Sequence, residues 1–185
     1  MELQSMHNRL LRFLEKVASH SKILTMLYIW IQDKIVLEEF STIPSKKIYN
    51  VLIIGCGSIP NTAITLARAK RWNVVGIDRD KDAVIKAKRV VKMYKLENID
   101  IKYLDGKDVD LEGFDLIIVA LGVEPKREIL SRVFREARSG TYIAWRNAGY
   151  FSMLLGREEM DIKGLKLFDR RKRKDGTETI IMTKI

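Results

Sequence analysis

The chain has 185 residues, 34 Lys and Arg against 24 Asp and Glu for a formal charge of +10, 46% apolar residues and a single cysteine. That balance excludes a disordered polymer and a disulfide-stapled module, and no stretch approaches the roughly 18 uninterrupted apolar residues a membrane span needs. Length favours one domain with a substantial core, and the opening Met1-Glu2-Leu3-Gln4 lacks the basic and apolar segments of a secretory signal. A lone cysteine suits a reducing cytoplasm, and Lys, Arg and Glu outnumbering Gln and Asn is a pattern of thermophilic sources.

Residues 5–39 read as two helices. Leu10, Leu14 and Val17 share one face of the first. Ile23, Leu24, Leu27, Tyr28, Ile31 and Ile35 stripe the second, with Ser21 placed to cap it. Tyr28 reads as a core residue and Trp30 as a cover for the domain edge, each ahead of lining a substrate pocket. Ser41, Thr42, Pro44 and Ser45 then break any helix, so residues 1–45 form a small helical cap and residues 46–185 the main domain.

From Val51 the pattern alternates. Strands are predicted at 51–54, 73–77, 99–104, 115–120 and 141–145, and helices at 62–70, 80–95 and 125–138. The segment from Asp105 to Phe114 holds one helical turn at most. Apolar strands separated by helices imply a parallel sheet covered on both faces. Ala148 to Glu159 reads as a short helix. Leu165–Arg171 and Thr177–Thr183 read as strands joined by a turn containing Asp175-Gly176, a hairpin signal.

The chemistry concentrates after the first strand. Gly55-Cys56-Gly57 breaks it into a helix, a geometry that exposes backbone N–H groups to a polar ligand. Twenty-one residues after Gly57, Asp78 ends the next apolar run, where a carboxylate accepts from both hydroxyls of a ribose. A dinucleotide site prefers a third glycine three residues after the second. Pro60 stands there instead, lacking an N–H and adding a ring, which disfavours a pyrophosphate and favours S-adenosylmethionine. Cys56 lies inside this loop, and with no histidine near it in sequence its thiol reads as small buried filler.

Gly55-Cys56-Gly57-Ser58-Ile59-Pro60-Asn61-Thr62 resembles the Gly-x-Gly-Pro-Leu-Pro-x-Thr loop of nicotianamine synthases. The likeness continues through Val119-Ala120-Leu121-Gly122, Glu124-Pro125-Lys126-Arg127 and Tyr142-Ile143-Ala144-Trp145-Arg146. It departs from the common methyltransferase loop at Ile53, where an acidic residue is usual, and at Ile59, where a glycine is. The resemblance implies the Rossmann-like class I methyltransferase fold: an α/β, mostly parallel seven-stranded sheet ending in an antiparallel hairpin, binding S-adenosylmethionine. It implies that Gly55, Cys56, Gly57 and Ser58 lie against the amino-acid and ribose part, that Asp78 holds the ribose, and that Arg79 lies beside the adenine. Asp105 would face the adenine amino group, Gly106 would leave room for the base, and Ala120 and Leu121 would bound the reaction chamber. The family moves an aminocarboxypropyl group onto an amine and has a longer N-terminal domain than this chain.

Glu38, Glu39 and Glu124 are the candidate bases or amine holders. Each reads first as a solvated charge, and Glu124 is preferred because it follows the fourth strand. His7 and His20 lack metal-ligand spacing, so no metal is expected. Arg170-Arg171-Lys172-Arg173-Lys174 reads as a solvated hairpin tip ahead of a phosphate-backbone grip. Lys86, Lys88, Arg89, Lys92 and Lys95 form the wet face of a helix whose other face carries Ala83, Ala87, Val90, Val91 and Tyr94.

The leading expectation is therefore a cytoplasmic transferase acting on a small amine-bearing or related metabolite, by methyl or aminocarboxypropyl transfer. An RNA-modifying methyltransferase and a non-catalytic cofactor-binding partner subunit are the alternatives. Nucleic acid is not the favoured partner, no membrane is expected, and the Trp30 face is a candidate for pairing two copies.

Overall fold

A computed structural model describes residues 22–45, 47–148, 164–172 and 176–185. The elements are α1 (Lys22–Glu39), β1 (Asn50–Ile54), α2 (Asn61–Lys70), β2 (Asn73–Asp78), α3 (Lys81–Tyr94), β3 (Ile99–Tyr103), β4 (Leu116–Val119), α4 (Lys126–Glu136), β5 (Tyr142–Ala148), β6 (Leu165–Lys172) and β7 (Thr177–Lys184). The sheet runs β3-β2-β1-β4-β5-β7-β6. β1 to β5 are parallel, and β7 is antiparallel to both β5 and β6. This is the class I methyltransferase fold that the sequence implied.

Two-residue alternation along the strands divides the core. Val51, Ile53, Leu116, Ile118, Ala144 and Ile181 pack on one face with residues of α1, α2 and α3. Leu52, Ile54, Ile117, Val119, Ile143, Trp145, Ile180 and Met182 pack on the other with Ile129 and Val133 of α4. Helix ends follow local chemistry. Asp80 caps α3, its Oδ1 accepting from the N–H groups of Asp82 at 2.8 Å and Ala83 at 3.2 Å, and Lys95 ends it in the left-handed region at φ 52°.

Several boundaries differ from the sequence reading. Pro125 stands just before α4, as its N-cap residue. β5 continues to Ala148, past the expected end at residue 145 and into the expected short helix. The reason is β7, which carries the ladder on through Arg146↔Thr179, Asn147↔Glu178 and Ala148↔Thr177. No helix lies between Asp105 and Phe114. Leu10, Leu14, Val17, Ser21, His7, His20, residues 149–159 and Asp175 lie outside the described residues. Trp30 is 71% exposed and covers nothing among them. No described helix is long and apolar enough to cross a membrane.

α1 is fixed at two points, in its second half and at its C-terminus. Asp33 accepts from Thr65 Oγ1 at 2.5 Å and pairs with Arg68, both on α2. At its C-terminus Glu39 is 3% exposed, contrary to the solvated charge expected. Arg146 Nε and Nη2 donate to its two carboxylate oxygens at 2.7 and 2.8 Å, and Thr179 Oγ1 donates to Oε1 at 2.6 Å. Arg146 Nη2 also reaches Thr62 Oγ1 at 3.0 Å. Burial opposes the guanidinium charge, but the facing Glu39 carboxylate overrides it and raises the Arg146 pKa.

The Glu39→Ala variant strands that guanidinium in the core and is expected to lose about 3–5 kcal/mol of stability. Urea denaturation of both proteins measures it. A loss below about 1 kcal/mol would show that the pair does not hold α1 to the sheet.

Candidate functional site

The cleft lies at the carboxyl edge of the parallel strands, where strand order reverses between β1 and β4. Its volume is about 790 Å³, within the ~300–1,000 Å³ usual for small-molecule sites. Every residue the sequence nominated as cofactor-binding lines it: Gly55, Cys56, Gly57 and Ser58 after β1, Asp78 and Arg79 at β2, Asp105 and Gly106 after β3, and Ala120 and Leu121 after β4. Glu124, the catalytic candidate, lines it as well and is solvent-exposed; Glu38 and Glu39 do not.

Chain geometry explains the glycine loop. Gly55 turns at φ 81°, and a Cβ there would stand 2.5 Å from Val123 Cγ2. The turn lets the Gly55 and Cys56 N–H groups share Ile77 O, at 2.9 and 3.0 Å. Gly57, at φ 69°, donates to Asp78 Oδ2 at 2.9 Å. These three donors are consumed within the protein, which corrects the expectation that the loop offers them to a ligand. It also gives a second reason, beside Pro60, why a pyrophosphate has no cradle here.

Asp78 is held on both sides. Oδ2 accepts from Gly57, and Oδ1 accepts from the Asp80 N–H at 3.0 Å. Each oxygen keeps a second lone pair, so the carboxylate is oriented yet still able to accept from a pair of hydroxyls. Asp105 Oδ1 accepts from the Lys107 N–H at 2.9 Å, and its other oxygen has no partner among the described residues. These acceptors fit the ribose and amino group of an adenosine.

Gly106 has a packing reason to be glycine, beside the space for the base that the resemblance implied. A Cβ there would come within 2.6 Å of Ile54 Cγ2 and 3.2 Å of Ile129 Cδ1, so packing between β1 and α4 requires it. Cys56 is buried, as the filler reading has it, near the Cα of Gly76. Arg170 and Arg171 lie on β6 and are paired with Glu178 and Asp169.

Sequence reasoning missed the wall formed by α1. Gln32 and Ile35 line the cleft with Tyr28, whose half-buried ring also packs against the core. Asp80, Asp82 and Lys86 join from the start of α3, and Arg146 and Thr177 from β5 and β7. Among the described residues no three His, Cys, Asp or Glu side chains group in a way that could hold a metal.

On α4, Lys126 Nζ donates to Leu121 O at 2.7 Å and to Arg146 O at 2.6 Å. Burial lowers its pKa to about 7, with Arg146 pushing the same way and Glu124 opposing. The folded chain thus releases this proton near pH 7, whereas an unfolded lysine holds it to about pH 10.4. The unfolded state binds more protons throughout that window, so the Lys126 contribution makes stability rise with pH, by at most about 1.4 kcal/mol per unit. Denaturation midpoints from pH 6 to 9 are expected to show this rise, and Lys126→Met to remove it; identical profiles would mean the ammonium is not buried.

A family model for Protein-L-isoaspartate(D-aspartate) O-methyltransferase (PCMT) matches residues 36–130, just over half of the chain. No curated protein matches. Among solved structures, a variant of the nicotianamine synthase MtNAS superposes with a TM-score of 0.77 at 19% identity, covering 96% of this chain and 71% of that one. A variant of MtNAS in complex with S-adenosylmethionine gives 0.74 at 20% identity, covering 100% and 72%. A SAM-dependent methyltransferase from Aquifex aeolicus gives 0.63 at 16%, covering 83% and 89%. At these identities the likeness establishes the fold, while the family match reaches further: the chain belongs to the protein-L-isoaspartate(D-aspartate) O-methyltransferase (PCMT) family and is an S-adenosylmethionine-dependent transferase.

Proposed function

We propose that the protein transfers a group from S-adenosylmethionine to a small amine-bearing metabolite held between α1 and the ends of β4 and β5. The observation that carries this reading is the charge of the cleft. The chain is +10, yet among the described residues Asp78, Asp80, Asp82, Asp105 and Glu124 line the cleft against Arg79, Lys86 and Arg146, and Arg146 is already neutralised by Glu39. Such a cleft attracts a cationic acceptor and repels a phosphate backbone. The pairing of Arg170 and Arg171 removes part of the charge that motivated an RNA substrate. Tyr28, Gln32 and Ile35 supply a chamber wall from the chain itself, which favours a catalytic protein over a silent partner subunit.

In this reading Asp78 accepts from the ribose hydroxyls, with Arg79 beside the base and Asp105 accepting from the adenine amino group. Gly55, Cys56, Gly57 and Ser58 lie under the ribose and tail, and Ala120 and Leu121 bound the chamber. The cofactor supplies a sulfonium whose attached carbons are open to displacement. Catalysis then asks for alignment of an amine with one of those carbons, and for removal of a proton. Glu124, exposed on the rim, takes that proton, and Tyr28 and Gln32 orient the amine.

Two arms of the sulfonium have separate support. Membership of a methyltransferase family favours the methyl group. Superposition on MtNAS over 96% of the chain, where the Aquifex aeolicus methyltransferase covers 83%, favours the aminocarboxypropyl group. Mass spectrometry after incubation with S-adenosylmethionine and a pool of polyamines and amino acids separates them. Methyl transfer leaves S-adenosylhomocysteine, the other leaves methylthioadenosine, and neither product would overturn the catalytic reading. Asp78→Ala is expected to weaken S-adenosylmethionine binding by about 1–3 kcal/mol in calorimetry, through lost hydrogen bonds to a charged acceptor. Equal affinity would remove the ribose assignment.

A further inference from the structure

Two basic side chains project from α4 to hold the backbone of the loops that form the cleft's far wall. At its first residue, Lys126 Nζ bridges Leu121 O and Arg146 O, at 2.7 and 2.6 Å. Near its middle, Arg132 Nη2 donates to Val109 O at 2.7 Å and Nη1 to Gly106 O at 3.3 Å. The carbonyls they bind belong to different segments. Gly106 and Val109 lie in the connection after β3, Leu121 in the loop after β4, and Arg146 in β5.

Neither connection has a ladder of its own to fix it. The β4–β5 register ends at Val119↔Trp145, so beyond that pair Leu121 and Arg146 have no strand partnership with each other. The Asp105–Phe114 connection holds no helix or strand. Carbonyls in such segments need donors, and a side chain with several N–H groups can serve more than one. Lys126 and Arg132 supply them from a rigid helix whose Ile129 and Val133, on intervening turns, are buried in the core at 2% and 0% exposure. Arg132 is itself braced by Glu136 one turn on, Nε to Oε2 at 2.7 Å.

We propose that Lys126 and Arg132 are positioning residues that set the two ends of the cleft independently: Arg132 the adenine end through Gly106 and Val109, and Lys126 the transfer end through Leu121 and Arg146. The assignment of ends rests on the placement of the cofactor given above. The division of labour does not, because it follows from which carbonyls each cation binds. Neither side chain touches the ligand in this arrangement. Each acts through the loop that does. Arg146 couples the second tie onward to Glu39, so Lys126 also sets the register of the wall made by α1.

The test uses the full chain and four variants: Arg132→Met, Arg132→Lys, Lys126→Met and Lys126→Arg. Amide hydrogen exchange reads the loops, and calorimetry reads the affinity for adenosine and for S-adenosylhomocysteine. Arg132→Met is expected to speed exchange of residues 105–111 at least tenfold and to weaken both ligands at least tenfold. Lys126→Met is expected to speed exchange of residues 120–124 at least tenfold and to weaken S-adenosylhomocysteine at least fivefold, with adenosine changed less than twofold. The Lys and Arg replacements, which keep a charged donor, recover most of each effect. Both Met variants loosening both loops alike would overturn the proposal, as would identical losses for the two ligands or no recovery by the charged replacements. Absence of adenosine and S-adenosylhomocysteine binding in the unaltered chain would count against the cofactor placement instead, while the exchange experiment still decides whether the loops are held separately.

Discussion

The buried Glu39–Arg146 pair is the constraint on which the shape of the cleft depends. One bidentate contact ties the end of α1 to β5, with Thr62 of α2 and Thr179 of β7 adding a hydrogen bond to each ion. An ion pair this deep costs desolvation that only good geometry and full satisfaction repay. Here the bidentate geometry and the two threonine hydroxyls offset that cost, and the consequence is positional. α1 is held where Tyr28, Gln32 and Ile35 become a wall of the cleft.

A second tier of ties works on the same edge of the sheet. Asp78 orders the glycine loop by accepting from Gly57, and Lys126 and Arg132 order the loops opposite. The cleft is thus built from irregular backbone whose polar groups are satisfied by side chains of rigid neighbours. Such an arrangement leaves room for a ligand while keeping the walls defined. It also separates two uses of glycine. Gly55 and Gly57 serve the turn at positive φ, whereas Gly106 yields space to Ile54 and Ile129.

The charge distribution reconciles a basic chain with an acidic site. Many cations are spent on structure, as in Arg68 with Asp33, Arg138 and Lys47 with Asp115, and Arg170 with Glu178, or on the wet face of α3. Burial alone would raise the Asp115 pKa. Instead the Asn50 N–H, Lys47 and Arg138 hold it below the usual carboxylate range, which shows how strongly these cations are engaged at the opposite edge of the sheet. Net charge therefore described solubility and surface, and gave little guide to the acceptor.

Local pattern was enough to read the strand–helix alternation, the closing hairpin and the loop from Gly55 to Thr62, because apolar periodicity and glycine placement act over a few residues. The carboxylate at Asp78 was legible for the same reason, its position being set by the length of one β–α–β unit. What the amino-acid order left open were partnerships across the chain. Glu39 looked like a solvated charge until residue 146, 107 positions away, was folded against it. Lys126 had no role of its own in the sequence until strands β4 and β5 brought two carbonyls to it. Burial and pairing of polar groups depend on distant segments meeting, and only the packed sheet decides which do.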